Sequence, residues 1–137
     1  MGKKFVLAML SVFIVITACS TKIFSFGFPV DKFAPVYAVM GDKRVLVPDD
    51  EGRKIIDALR HNYDRGNSGK CPFDYNLAFE IGNYRYAVAW DGCYSVDMYT
   101  RDGRLIYSGG TFTDGGIYAG TYLRYFSDEE LQEYFNN

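Results

Sequence analysis

Histidine is almost missing from this 137-residue chain: His61 is the only one, and the three cysteines, Cys19, Cys71 and Cys93, show no C-x-x-C spacing. Protein zinc sites are built from clusters of these two residue types, so no metal centre is expected, and no motif implies a cofactor. A lone histidine in the last turn of a helix simply meets the terminal carbonyls. Positive charge is scarce too: 15 Lys and Arg stand against 17 Asp and Glu, a formal net charge of −2. Without a basic surplus to follow a phosphate backbone, nucleic acid is excluded as a partner. The longest apolar run, Phe5 to Ala18, falls short of the approximately 20 residues that cross a bilayer as a helix. No internal repeat or low-complexity tract is present.

Aromatic residues are plentiful. They make up 18% of the chain, within a hydrophobic content of 48%, and include 12 tyrosines. That supply suffices for one core and suits a half-covered β-sheet better than a helical bundle. Tyr75 to Ile81 and Tyr84 to Trp90 alternate large apolar with small or polar residues at period two, the mark of strands. Gly82-Asn83 between them reads as a two-residue hairpin loop, which fixes the pairing register. Ile81 then faces Tyr84, Phe79 faces Tyr86, Leu77 faces Val88 and Tyr75 faces Trp90, all on one side. Glu80 faces Arg85 on the other side as a cross-strand ion pair.

The next two turns are read by the same test, because a one-residue slip would exchange the faces. A three-residue loop, Asp91-Gly92-Cys93, pairs Val88 with Val96 and Tyr86 with Met98. A two-residue loop, Asp102-Gly103, sets Leu105 opposite Thr100 and Tyr107 opposite Met98. The hairpin register brings Cys71 and Cys93 to one end of the ribbon, where a disulfide is geometrically reasonable; a pair of free thiols is the alternative.

Elsewhere, Val36 to Met40 and Arg44 to Val47 read as a hairpin around Gly41-Asp42-Lys43. A helix is expected from Asp49 or Asp50 to about Tyr63, with Ile55, Ile56 and Leu59 on one stripe and three acidic residues at its positive end. Thr121 to Tyr125 reads as a strand, and Ser127-Asp-Glu-Glu130 is a capping box opening a short C-terminal helix. The expected fold is α+β: an antiparallel meander with one helix on its apolar face and a short helix at the end.

The N-terminus carries a resemblance. Lys3 and Lys4, the apolar run, and Ile16-Thr17-Ala18-Cys19 together resemble the signal peptide and lipobox of bacterial lipoproteins. The resemblance implies cleavage before Cys19, diacylglycerol on its thiol, residues 1–18 as signal peptide, residues 19–35 as a partly docked tether, and residues 36–137 as one domain. It also implies an extracytoplasmic place on the cell membrane or outer membrane, held to the lipid bilayer through Cys19, where disulfides persist. Loss of Lys3 and Lys4 would take the formal charge from −2 to −4. The pattern from Cys71-Pro-Phe to Asp91-Gly-Cys93 and the closing helix resembles small exported bacterial domains to which no activity attaches, and implies the Cys71–Cys93 bond and the fold.

For chemistry the residues offer little. Gly66-Asn67-Ser68-Gly69 resembles a protease serine motif over four residues only, and a plain turn accounts for it. Asp97 with Glu80 could form a carboxylate pair for glycan hydrolysis, but Glu80 is already opposed by Arg85. What remains is the polar sheet face. Small residues occupy its centre, Ala78, Ala87, Ala89 and Ser95, bordered by Arg85, Asp97, Tyr99 and Ile106, a floor suited to a protein loop or a glycan. A merely solvated face is the plainer reading. The expected function is a non-catalytic, membrane-anchored envelope module that binds an envelope protein or cell-wall glycan. The alternatives are an inhibitor or immunity lipoprotein neutralising an exported enzyme and, less favoured, a small hydrolase.

Overall fold

The computed structural model describes residues 28–61, 63–64, 71–89, 95–112, 121 and 123–136. Cys19 and Cys93, and with them residues 1–18, the first part of the expected tether, the Asp91-Gly92-Cys93 loop and the Gly66–Gly69 turn, lie outside the described residues.

Among the described residues the strands are β1 (Val36–Met40), β2 (Lys43–Leu46), β3 (Tyr63–Asp64), β4 (Leu77–Ile81), β5 (Tyr84–Val88), β6 (Ser95–Thr100) and β7 (Leu105–Phe112). They form one antiparallel sheet in the order β2-β1-β4-β5-β6-β7-β3. The expected meander is its centre, β4 to β7, and the N-terminal hairpin extends it through β1 against β4. Helix α1 (Asp49–His61) follows β2 at one edge and leads to β3 at the other. It therefore carries the chain across the apolar face, about 20 Å of helix over a sheet about 29 Å wide. Helix α2 (Asp128–Asn136) closes the chain, with Ser127 and Glu130 in the reciprocal capping bonds that the S-x-x-E pattern predicts. The architecture is α+β. No helix among the described residues is long and apolar enough to cross a membrane.

The first hairpin of the meander has the expected register. Phe79 pairs with Tyr86, Ile81 with Tyr84 and Glu80 with Arg85, and Gly82 takes the positive φ of +59° that its tight turn demands. The β5–β6 pairs Val88–Val96 and Tyr86–Met98 also stand as expected. The β6–β7 turn does not. Its loop has three residues, because Thr100 donates its N–H to the Arg104 carbonyl at 2.9 Å and Gly103 sits at φ +87°. Leu105 is therefore opposite Tyr99, not Thr100, and a bulge restores the expected Met98–Tyr107 pair. Ile106 falls in that bulge.

The core collects on the face under α1: Val36, Ala38, Leu77, Phe79, Ile81, Tyr86, Val88, Val96 and Met98 from the sheet, and Ile55, Ile56 and Leu59 from the helix. Each fully buried large side chain contributes about 1.5–3 kcal/mol, so this layer dominates stability. Gly52 costs helix propensity, yet it is buried where α1 meets β1: a Cβ there would stand 3.2 Å from Val36 Cγ2. Its smallness sets how closely helix and sheet approach.

Phe28, within the expected tether, is 5% exposed. Its ring meets Tyr86 and Tyr107 edge-on, its N–H donates to the Leu59 carbonyl at 2.9 Å, and the Tyr86 hydroxyl donates to the Pro29 carbonyl at 2.8 Å. Near the C-terminus, the expected strand 121–125 does not form: Thr121 and Leu123 are helical and Arg124 and Tyr125 make a turn, with Phe126 N–H donating to the Leu123 carbonyl at 3.1 Å. The turn lets Leu123, Tyr125 and Phe126 all reach the core, which a strand of alternating faces would forbid.

Candidate functional site: an arginine and tyrosine row on the second sheet face

The sheet face away from α1 differs from the expected open floor. Ala78, Ala87 and Ala89 are fully buried, Ser95 and Asp97 nearly so. Val39, Ala78, Ala87 and Asp97 lie side by side across β1, β4, β5 and β6. This row is interior, and its small side chains serve packing instead of forming the base of a binding surface.

The neighbouring row on the same face is the one that reaches solvent. Register places Leu46, Tyr37, Glu80, Arg85, Tyr99 and Leu105 in line across the six strands from β2 to β7. Leu46 and Leu105, at its two ends, are 57% and 49% exposed. Glu80, at its centre, has a side chain only 7% exposed, so its charge needs compensation within the protein. Three guanidinium groups supply it. Arg44 and Arg101 approach Glu80 Oε1 at 3.0 and 3.2 Å, and Arg85 donates through Nε to Oε2 at 3.2 Å. One arginine would neutralise the carboxylate; three exceed it by two, and Asp97, beside Tyr99 on the same face, offsets one of these.

Tyrosines hold two of these arginines in place. The Arg44 guanidinium lies 3.3 Å from the centroid of Tyr37 and that of Arg85 4.5 Å from Tyr75, both cation–π contacts. Tyr75 lies outside the strand expected for it: β4 begins at Leu77, and an Asx turn in which Asp74 accepts from the Asn76 N–H redirects the chain. Its ring therefore joins the second face, edge-on to Tyr99 at 5.6 Å, and its hydroxyl donates to the Arg101 carbonyl. The Tyr99 hydroxyl in turn donates to Asp97 at 3.2 Å, and burial together with the Asp97 carboxylate pushes its phenol up to about 12.

Of the four residues expected on a binding face, Arg85 and Tyr99 are direct cross-strand partners. Asp97 lies beside them but is 4% exposed and accepts from the Tyr99 hydroxyl. Ile106 stands apart in the bulge, 45% exposed. Arg44 and Arg101 are the residues that sequence reasoning missed. Each lies next to a turn, and nothing local announces that both reach a glutamate on β4.

Two large cavities among the described residues lie away from the row: one of about 830 Å³ between the β1–β2 turn, Pro72 to Asp74 and α2, and one of about 520 Å³ between Lys32 to Val36 and α1. Both oxygens of Glu80 are taken by guanidinium groups, so the carboxylate pairing considered for hydrolysis is not what this geometry builds. Among the described residues no group of three or more His, Cys, Asp or Glu stands ready to hold a metal. None has a cysteine at disulfide distance either; the free Cys71 thiol lies 3.8 Å from Ser95 Oγ. Comparison with family models, curated proteins and solved structures gives no match.

Proposed function

We propose that the chain is a non-catalytic binding module of a bacterial cell envelope, anchored through a lipidated Cys19 on the cell membrane or outer membrane, that engages an envelope protein or cell-wall glycan. The observation that carries the binding half is the cationic surplus on the second sheet face: three arginines around one glutamate, two of them braced by tyrosine rings, exceed what that glutamate requires. The anchoring half is supported by the order Lys3-Lys4, apolar run, Ile16-Thr17-Ala18-Cys19. Membrane fractionation of a Cys19→Ala variant tests it. The variant should leave the membrane fraction; equal retention would refute the anchor.

Export would also expose Cys71 and Cys93 to an oxidising compartment. Ser95, two residues beyond Cys93 in the chain, is the neighbour of the Cys71 thiol, and this nearness in sequence supports the pairing. The paired form is part of the same proposal. Peptide mapping without reductant should recover the two cysteines linked. A second reading, an inhibitor or immunity lipoprotein, draws on the extent of the row over six strands, since a broad surface suits a tight protein complex; it requires a stoichiometric partner.

A further inference from the structure

We propose that the row from Leu46 to Leu105 docks an acidic patch on a partner protein, with the outward donors of Arg44 and Arg101 receiving the partner's carboxylates. The inference rests on the reading above that this row is the binding surface, and it names the occupant. Arg44 and Arg101 each donate through one terminal nitrogen to the same oxygen, Glu80 Oε1. A guanidinium has five N–H donors, so both keep donors for a second acceptor. The two side chains are 44% and 54% exposed, whereas Arg85, at 17%, serves as internal support. Glu80 and Tyr37 already hold Arg44, and Glu80 holds Arg101, so less rotamer entropy is lost when a carboxylate arrives.

The shape of the surface selects a protein. Small molecules and saccharide units are held in clefts that bury most of their surface, and neither of the two large cavities among the described residues lies on this row. The row crosses six strands, about 24 Å at ordinary strand spacing. That is close to the edge of a patch of about 800 Å², the usual contribution of one partner to a stable complex. Tyrosine and arginine, enriched where interface energy concentrates, stand in its middle, and exposed leucines end it.

The test uses the full chain in detergent micelles with two probes of equal charge, a short polyglutamate peptide and a galacturonate oligomer, titrated at low and at physiological salt. The peptide should bind, weaken as salt rises, and lose at least about tenfold in affinity in Arg44→Ala/Arg101→Ala. Arg44→Lys/Arg101→Lys, which keeps the charge but loses the planar fork, should fall between the two, and it carries the test if the alanine variant misfolds. In cells, a photo-crosslinking residue at Leu105 should capture protein in the native background and not beside Arg44→Glu/Arg101→Glu, while one at Phe135 should be indifferent to that change. Absence of peptide binding, or binding untouched by the arginine substitutions, would overturn the site. Preferential binding of the galacturonate oligomer would overturn the protein as occupant while leaving the row as a glycan surface. Fractionation of Cys19→Ala reads the anchor separately, so its failure would not be mistaken for either.

Discussion

The two faces of the sheet are buried by opposite means. Under α1, large side chains such as Phe79, Tyr86 and Met98 fill the space between helix and strands. On the second face, alanines and Val39 are buried just as completely, and a glutamate beside them is closed over by three arginines. The first face can tolerate change of shape but not loss of volume. The second can lose little because it has little to lose, yet it has no room for more, and its central charge cannot stand alone.

The most severe test removes volume from the first face. Phe79→Ala, at a fully buried position, should cost about 3–5 kcal/mol, read as a lowered urea midpoint with an unchanged slope. Next comes the charge. Glu80→Ala would leave three arginines crowded around an empty place, at a cost of about 3 kcal/mol. Removing Arg101 in the same background should restore part of that loss, and a double-mutant cycle measures how much; full additivity would mean that the cluster does not act as a unit. A third variant separates a buried second face from a solvated one. Ala87→Leu should destabilise by about 1–3 kcal/mol through overpacking, whereas an open face would accept leucine at almost no cost in thermal midpoint.

The smallest effect is alkaline. Tyr99 has its phenol raised to about 12, by burial first and by Asp97 second, and Tyr134 is raised to about 12 by burial and its hydrogen bond to Asp74. A folded pKa above the unfolded one favours the neutral phenol in the folded state. This contribution is complete below an unfolded pKa of about 10 and is lost as pH climbs from there through about 12. Phenolate absorbance should show late-titrating tyrosines in the folded protein, one fewer in Tyr99→Phe.

Much of the first face was legible in the order of residues. A two-residue loop at Gly82-Asn83 forces partner numbers to sum to a constant, and that arithmetic alone aligned Phe79 with Tyr86. The bulge at Ile106 was not legible, because Asp102-Gly103 suits a two-residue turn as well as the three-residue one that forms. Pairing of β1 with β4 was hidden for a different reason: Val36 to Met40 could extend either edge of the meander, and only packing over the whole domain decides. The candidate site inherits that gap. Arg85 and Tyr99 could be placed by register within the meander, but Arg44 reaches Glu80 only because β1 lies between β2 and β4. Nor does an alanine declare whether it is buried. Ala78 and Ala87 read the same under water or under a cover.

The grip on Phe28 has a mechanical meaning. Its N–H is held by the carbonyl of Leu59 near the end of α1, and the carbonyl of the next residue by Tyr86 in the middle of the sheet. Tension arriving from the N-terminal side is thus delivered to the centre of the domain at two points at once, and one aromatic plug must be drawn out before any strand is stressed. A domain suspended by its leading end would hang from that plug, with β5 and the last turn of α1 as the beams that bear the load.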